Sequence, residues 1–227
     1  MWKLKRQKRN KVEINEERFT TFINSLDRGN EEYLDELERI ALADDVPIIR
    51  KDTQTLLKFL IKMQKPVNIL EVGCATGFSA LLMAEYSCPE CKITTIEKYE
   101  KRIPIAHGNF DKYDKDHKIT LLEGDALDIL KELDPEYDFI FMDAAKGQYI
   151  NFLPDCTRVL KKGGLLISDN ILQDGDIIES RFAVTRRNRT IHARMREYLY
   201  ELKHNDNYET VILQVGDGMA LSYKVSD

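Results

Sequence analysis

Asp143 and Lys146 stand three residues apart where an apolar run, YDFIFM (residues 137–142), gives way to DAAKGQY. A second apolar run, LLIS (165–168), ends in the same manner with Asp169-Asn170. Two carboxylates and an amide carbonyl, with neither Cys nor His beside them, make a donor set for a hard divalent cation. Mg²⁺ fits best, with positions left for water or a substrate oxygen, and zinc is disfavoured. The plainer alternative is that Asp169 and Asn170 cap a loop. Lys146 would fall beside such a cation, where the positive charge and burial both lower an ammonium pKa. It is therefore a candidate general base for a hydroxyl made acidic by the cation, weighed against a solvent-facing lysine opening a helix.

A third strand-like run ends in Glu71-Val72-Gly73-Cys74-Ala75-Thr76-Gly77-Phe78-Ser79, with a helix expected from about Ser79. Glycines at a strand-to-helix turn let the backbone approach a ligand beside a helix N-terminus. The spacing Gly73-x-x-x-Gly77 is not the dinucleotide pattern, and Glu71 would repel a pyrophosphate while suiting a cationic ligand such as S-adenosylmethionine. Glu97 lies 20 residues beyond Gly77, where a carboxylate can hold a ribose. Asp125, in EGDA (123–126), can address an adenine edge or simply cap the helix after it. Three acids at three successive strand exits favour a nucleoside-type ligand over three unrelated caps.

These residues need elements to position them. Before Val67 the apolar spacing is helical: Phe19, Phe22, Ile23, Leu26, then Leu34, Leu37, Ile40, Ala41, then Leu56, Leu57, Leu60, Ile61. Asn15, Asn30 and Asp52 are the expected N-caps, and Pro66 the stop. From Val67 onward short apolar runs alternate with helical stretches: residues 67–72, 92–96, 118–123, 137–142 and 165–168. Such runs predict parallel strands covered on both faces. YETVILQV (208–215) and MALSYKV (219–225), joined by Gly216-Asp217-Gly218, predict an antiparallel hairpin. The expectation is an α/β fold, Rossmann-like, with a seven-stranded mostly parallel sheet. Its single domain (1–227) would comprise a basic leader (1–11), N-terminal helices (12–66) and a catalytic sheet with its helices (67–227). The irregular stretch 169–180 follows the fifth strand, at the edge where open α/β sheets bind ligands.

The composition, 43% apolar and 32% charged, is that of a soluble globular chain. No apolar run reaches membrane-spanning length and no export signal is evident, so a cytoplasmic protein with reduced thiols is expected. Cys88-Pro-Glu-Cys91 lacks a second ligand pair and is read as a solvent-side turn rather than a zinc knuckle. Charge is unevenly spread. Residues 1–11 hold six basic residues and residues 181–196 hold six arginines, neither with an acid. Without those 12 of the 34 basic residues, 22 face 39 acids. Two cationic patches on an anionic body suit a polyanionic partner, the arginine segment more than the leader. A DNA partner or a membrane is not expected. A nicotinamide-dependent reductase is disfavoured by the glycine spacing and Glu71. A non-catalytic RNA-binding module would leave Asp143, Lys146, Asp169 and Asn170 idle.

The sequence resembles the cation-dependent O-methyltransferases related to the catechol and caffeoyl-CoA enzymes. The matching motifs are VPII (46–49), ILEVGCATGFS (69–79), TIE (95–97), GDA (124–126), FMDAAKGQY (141–149), SDN (168–170) and VGDGMALS (215–222). Through DAAKGQY, the arginine segment and the VGDG hairpin it is most similar to the bacterial tRNA 5-hydroxyuridine methyltransferases. The resemblance implies S-adenosylmethionine contacts from Ile49, Ser79, Glu97, Asp125, Ala126 and Asp143, to which the residues themselves add Glu71 and Gly73. It implies metal ligation by Asp143, Asp169 and Asn170, a base role for Lys146, and a homodimer, for which the N-terminal helices are the suggested interface. The substrate would be the wobble 5-hydroxyuridine of a tRNA anticodon arm, contacted by Arg186, Arg187 and Arg189, or a small catechol-like or caffeoyl-CoA-like molecule. Ala144 and Ala145 depart from the bulkier residues of the small-molecule members.

Overall fold

The computed structural model describes residues 16–134 and 137–226. The basic leader and Asn15 therefore lie outside the described residues. Three helices come first: α1 (Glu16–Asn24), α2 (Glu32–Ala43) and α3 (Lys51–Gln64). Strands and helices then alternate through β1 (Asn68–Val72), α4 (Phe78–Tyr86), β2 (Lys92–Glu97), α5 (Ile103–Tyr113), β3 (Ile119–Glu123), α6 (Ala126–Glu132), β4 (Tyr137–Met142), α7 (Tyr149–Val159) and β5 (Leu160–Ser168). α8 (Arg189–His204), β6 (Tyr208–Leu213) and β7 (Met219–Lys224) complete the order. The strands form one sheet in the order β3-β2-β1-β4-β5-β7-β6. The first five are parallel, and β7 inserts antiparallel between β5 and β6.

Continuous apolar strands put alternate residues into two cores. Ile69, Ile93, Phe139, Phe141, Leu165 and Ile167 meet helices α2 to α5 on one face. Leu70, Ile96, Ile140, Met142 and Leu166 meet α6, α7 and α8 on the other. The chain starts from β1 toward one edge and from β4 toward the other, so the loops after β1 and β4 part, leaving a crevice at their carboxyl ends. Because β7 runs antiparallel to β5, with Ser168 opposite Ala220, the hairpin turn is delivered to that same edge.

Some local expectations are corrected. Asn30 does not cap α2, whose N-cap is Glu31 without a side-chain bond. Asn30 instead donates to Gln54 and accepts from Lys58 on α3, ties across helices that local pattern cannot show. Asp52 sits inside the first turn of α3, and its Oδ2 accepts the Gly216 N–H at 2.7 Å. α3 ends at Gln64 through a left-handed Lys65, just ahead of Pro66. The apolar stripe of α1 stays exposed at Phe19, Phe22, Ile23 and Leu26. Cys91 faces the core rather than solvent. The segment after β5 is not wholly irregular, for Gln173–Ile178 forms a 3-10 turn interrupted by a left-handed kink at Asp174 and Gly175. Asp52→Ala should cost about 1–2 kcal/mol of unfolding free energy by removing a charge-assisted bond between α3 and the hairpin turn. Chemical denaturation unchanged within about 0.5 kcal/mol, the ordinary range for a surface substitution, would contradict that role.

Candidate active site

Each parallel strand at the crevice carries its ladder one residue beyond its end. Gly73 N–H donates to Ile96 O, Asp143 N–H to Val72 O, Asp169 N–H to Met142 O and Gly124 N–H to Glu97 O, all at 2.9–3.0 Å. The first polar residue after each strand is thereby fixed by backbone bonds, which is why strand exits hold side chains so firmly. A cavity of about 590 Å³ opens above them. Ile49, Gly73, Ser79, Glu97, Asp125, Ala126, Asp143, Lys146 and Asn170 all line it. Glu71 and Asp169 lie behind its wall.

The glycine turn is shaped by close approach. Gly73 has φ +96, and a Cβ there would stand 2.3 Å from the Asp143 carbonyl oxygen, so β1 and β4 exit in direct backbone contact. Gly77 has φ +86, and a Cβ there would strike the Phe110 ring. Behind the turn, Glu71 is fully buried, with Oε2 accepting from Thr95 Oγ1 at 2.5 Å. Burial pushes its carboxyl up to about 7, opposed by bonds from Ser79 and Thr95. Glu97 accepts from the Ala75, Lys98 and Tyr99 amides at 2.8–2.9 Å, which fix its carboxylate at the cavity wall. Asp125 does cap α6, accepting the Leu127 N–H, and it also pairs with Lys98; the backbone bond chiefly lowers its pKa. The cap and the cavity position are therefore compatible.

Asp143 and Asp169 are the electrostatic problem of the site. Burial raises the Asp143 pKa, against Asn170 and Lys146. Burial and then the Asp143 charge push Asp169 up to about 7. Asn170, held at φ +58, donates Nδ2 to Asp143 Oδ1 at 3.0 Å. Half a turn of that amide replaces the N–H by an oxygen, so the trio can present three oxygens to a divalent cation; the donor set fits. Tyr149 was not among the sequence candidates, yet its buried hydroxyl bonds both Met142 O and Asp169 O, pinning the two exits together. Ser168 bonds Tyr198 of α8 beneath them.

Lys146 opens a 3-10 turn (Lys146–Gln148) and points into the cavity. Its side chain is 31% exposed rather than buried as expected, and Nζ lies 3.5 Å from Asp217 Oδ2. Asp217 was also missed as a site residue. Its burial, at 7% exposure, and its flanking left-handed glycines are signals that only the hairpin's insertion makes meaningful. Arg50, Tyr99, Arg102 and Asp174 complete the wall without having been anticipated.

The arginine segment divides. Arg194 donates to Gly147 O at 3.0 Å, Arg196 to Ile177 O at 2.9 Å and Arg189 Nε to Val184 O at 3.3 Å. Arg194 and Arg196 therefore brace the Lys146 turn and the 3-10 turn, Arg189 braces the chain just before α8, and the three are not free as the sequence density implied. Arg181, Arg186 and Arg187 are exposed, with no ion pair or hydrogen bond among the described residues.

A family model described as O-methyltransferase matches residues 24–225. The chain belongs to the O-methyltransferase family. Caffeoyl-CoA O-methyltransferase 1 of Arabidopsis thaliana is 32% identical over 189 residues, covering 77% of this chain and 70% of that protein. A Staphylococcus aureus structure described as a candidate caffeoyl-CoA O-methyltransferase superposes with a TM-score of 0.83 at 33% identity, covering 90% and 98%. An SAH-bound methyltransferase of Podospora anserina also gives 0.83, at 25% identity over 95% and 98%. The O-methyltransferase therefore has the class I methyltransferase fold and uses S-adenosylmethionine.

In this enzyme Gly73→Ala should lower stability by at least about 1–3 kcal/mol, the cost of a strained backbone, and weaken S-adenosylmethionine binding tenfold or more in calorimetry. Gly175→Ala shares the left-handed strain, at φ +91, but meets nothing within 4 Å. Calorimetry should find its cofactor affinity intact. Equal loss in both variants would show that strain alone, and not contact between the β1 and β4 exits, governs the turn.

Proposed function

We propose that this O-methyltransferase methylates the wobble 5-hydroxyuridine of tRNA in the cytoplasm, using Mg²⁺ or another hard divalent cation held by Asp143, Asp169 and Asn170. The observation carrying the tRNA reading is the placement of Arg181, Arg186 and Arg187, unpaired among the described residues, on the segment leading from the cavity-wall residue Asp174 to α8. A phosphate backbone supplies what those guanidinium groups lack within the chain.

S-adenosylmethionine supplies an electrophilic sulfonium methyl, and the divalent cation would supply charge to favour the hydroxylate. The substrate oxygen forms a bond to the methyl carbon as the carbon–sulfur bond breaks, leaving S-adenosylhomocysteine. Lys146, as the neutral amine at the cavity wall, accepts the hydroxyl proton, and the ammonium that results passes it to water. Asp217 holds the Lys146 ammonium at the mouth. The fixed strand exits keep these groups in place without reorganisation, so catalysis draws on proximity and preset charge.

A second reading has its own support: the curated relatives are named caffeoyl-CoA O-methyltransferases, and coenzyme A also carries phosphates for arginines. A caffeoyl group presents vicinal oxygens as 5-hydroxyuracil does. Transfer of labelled methyl should appear on the wobble nucleoside of tRNA bearing 5-hydroxyuridine, by nucleoside mass spectrometry, and vanish with a chelator or Asp143→Asn. Methyl on caffeoyl-CoA or catechol alone would overturn the tRNA reading while keeping the chemistry. Reversing Arg186, Arg187 and Arg189 to Glu should weaken tRNA binding and flatten its salt dependence, with S-adenosylmethionine affinity unchanged. Because Arg189 also holds Val184 O, cofactor affinity falling in parallel would mean the segment is structural.

A further inference from the structure

Phe182 is 86% exposed and Ile178 79% exposed, the two most exposed large apolar side chains recorded among the described residues. They are not at the end of a loose strap. Val184 is buried at 3% exposure, and the Ala183 and Val184 amides fold back onto Ser180 O. His192 donates from Nε2 to Glu179 O at 3.1 Å, and Asn188 Nδ2 bonds Asp176 at 3.1 Å. The segment is thus tied to α8 and to the 3-10 turn, with Phe182 and Arg181 held outward at its tip. An aromatic ring held in water on a fixed segment that also carries unpaired arginines is available to a partner that covers both.

We infer that Phe182 is a stacking platform for an unpaired base of single-stranded RNA flanking the nucleotide in the cavity. The inference rests on the tRNA reading above and deepens it. The segment runs between two anchors at the site: Asp174 lines the cavity, and α8 meets the Lys146 turn, with Ile191 near Gly147 and Arg194 donating to Gly147 O. Its chemistry follows from Arg181, Arg186 and Arg187, exposed and unpaired among the described residues on the same short segment as the exposed ring; sequence-tolerant single-strand binding combines such cations with aromatic faces. A base extracted for chemistry leaves its neighbour unstacked, and a ring on the segment between two elements of the site can replace the lost stacking partner. A second copy of the chain is a poor occupant: a two-fold contact through this tip would bring the arginines of one copy against those of the other.

The test measures binding and methylation of an anticodon stem-loop RNA carrying 5-hydroxyuridine, with wild type, Phe182→Ala, Phe182→Leu and Phe182→Trp. Calorimetric S-adenosylmethionine affinity and thermal unfolding serve as checks on the fold. Alanine and leucine should each lower RNA affinity about fivefold to a hundredfold, the range for losing one stacked base, while tryptophan retains it and cofactor affinity holds in all. Wild-type affinity in the alanine variant would overturn the platform and leave the tRNA assignment standing. Leucine performing as well as phenylalanine would overturn stacking in favour of a general apolar contact. No binding or methylation of the RNA by wild type would overturn the tRNA assignment, and the platform with it.

Discussion

Asp143 and Asp169 bring two like charges into one buried corner, and the arrangement of the carboxyl edge of the sheet answers to that constraint. Each is fixed by a backbone bond to the neighbouring strand, and Tyr149 ties the β4 and β5 exits through Met142 O and Asp169 O. Burial holds both acids above their ordinary range. Burying a charge without a counter-charge is costly, so the corner favours positive charge near the two carboxylates. The adjoining exits obey the same rule of backbone fixation, which is how Gly73, Glu97 and Asp125 come to face one cavity with the acidic corner.

The far wall of the cavity is assembled from segments remote in sequence. β7 inserts antiparallel beside β5 and so turns Gly216-Asp217-Gly218 toward the site. Asp52 at the start of α3 accepts the Gly216 N–H, while Arg50 bonds Gly216 O and Asp174. Asp217 in turn accepts the Asp174 N–H and pairs with Lys146. N-terminal helix, hairpin turn and the segment after β5 therefore close on one another beside Lys146 at the cavity wall. A change in any of the three reaches Lys146 through Asp217.

Much of this was legible from the chain. The strands are continuous apolar runs whose two-faced burial has no other explanation, and their terminal acids announce the site because strand ends hold side chains rigidly. What was not legible depends on contacts between distant segments. Asn30 and Asp52 look like caps but spend their side chains on Gln54, Lys58 and Gly216. Asp217 and Tyr149 acquire meaning only once β7 lies against β5 and α7 beneath the exits. The arginine run looked uniformly cationic, whereas Arg189, Arg194 and Arg196 are claimed by carbonyls of neighbouring turns that no sequence pattern identifies.

The most direct measurement is thermal unfolding of the cofactor-free protein at pH 5.5 and pH 8, with and without Mg²⁺, for wild type and Asp169→Asn. A carboxyl raised in the folded state binds its proton more tightly there than in the unfolded chain. Its contribution to stability is therefore lost as pH climbs from the usual carboxylate range to about 7, where Asp169 ionises. The account predicts that Mg²⁺ raises the wild-type Tm at pH 8, where both acids are charged, with little effect at pH 5.5, and that Asp169→Asn loses the response. A Mg²⁺ response equal at both pH values, or equal in the variant, would contradict a cation site built on these two buried carboxylates.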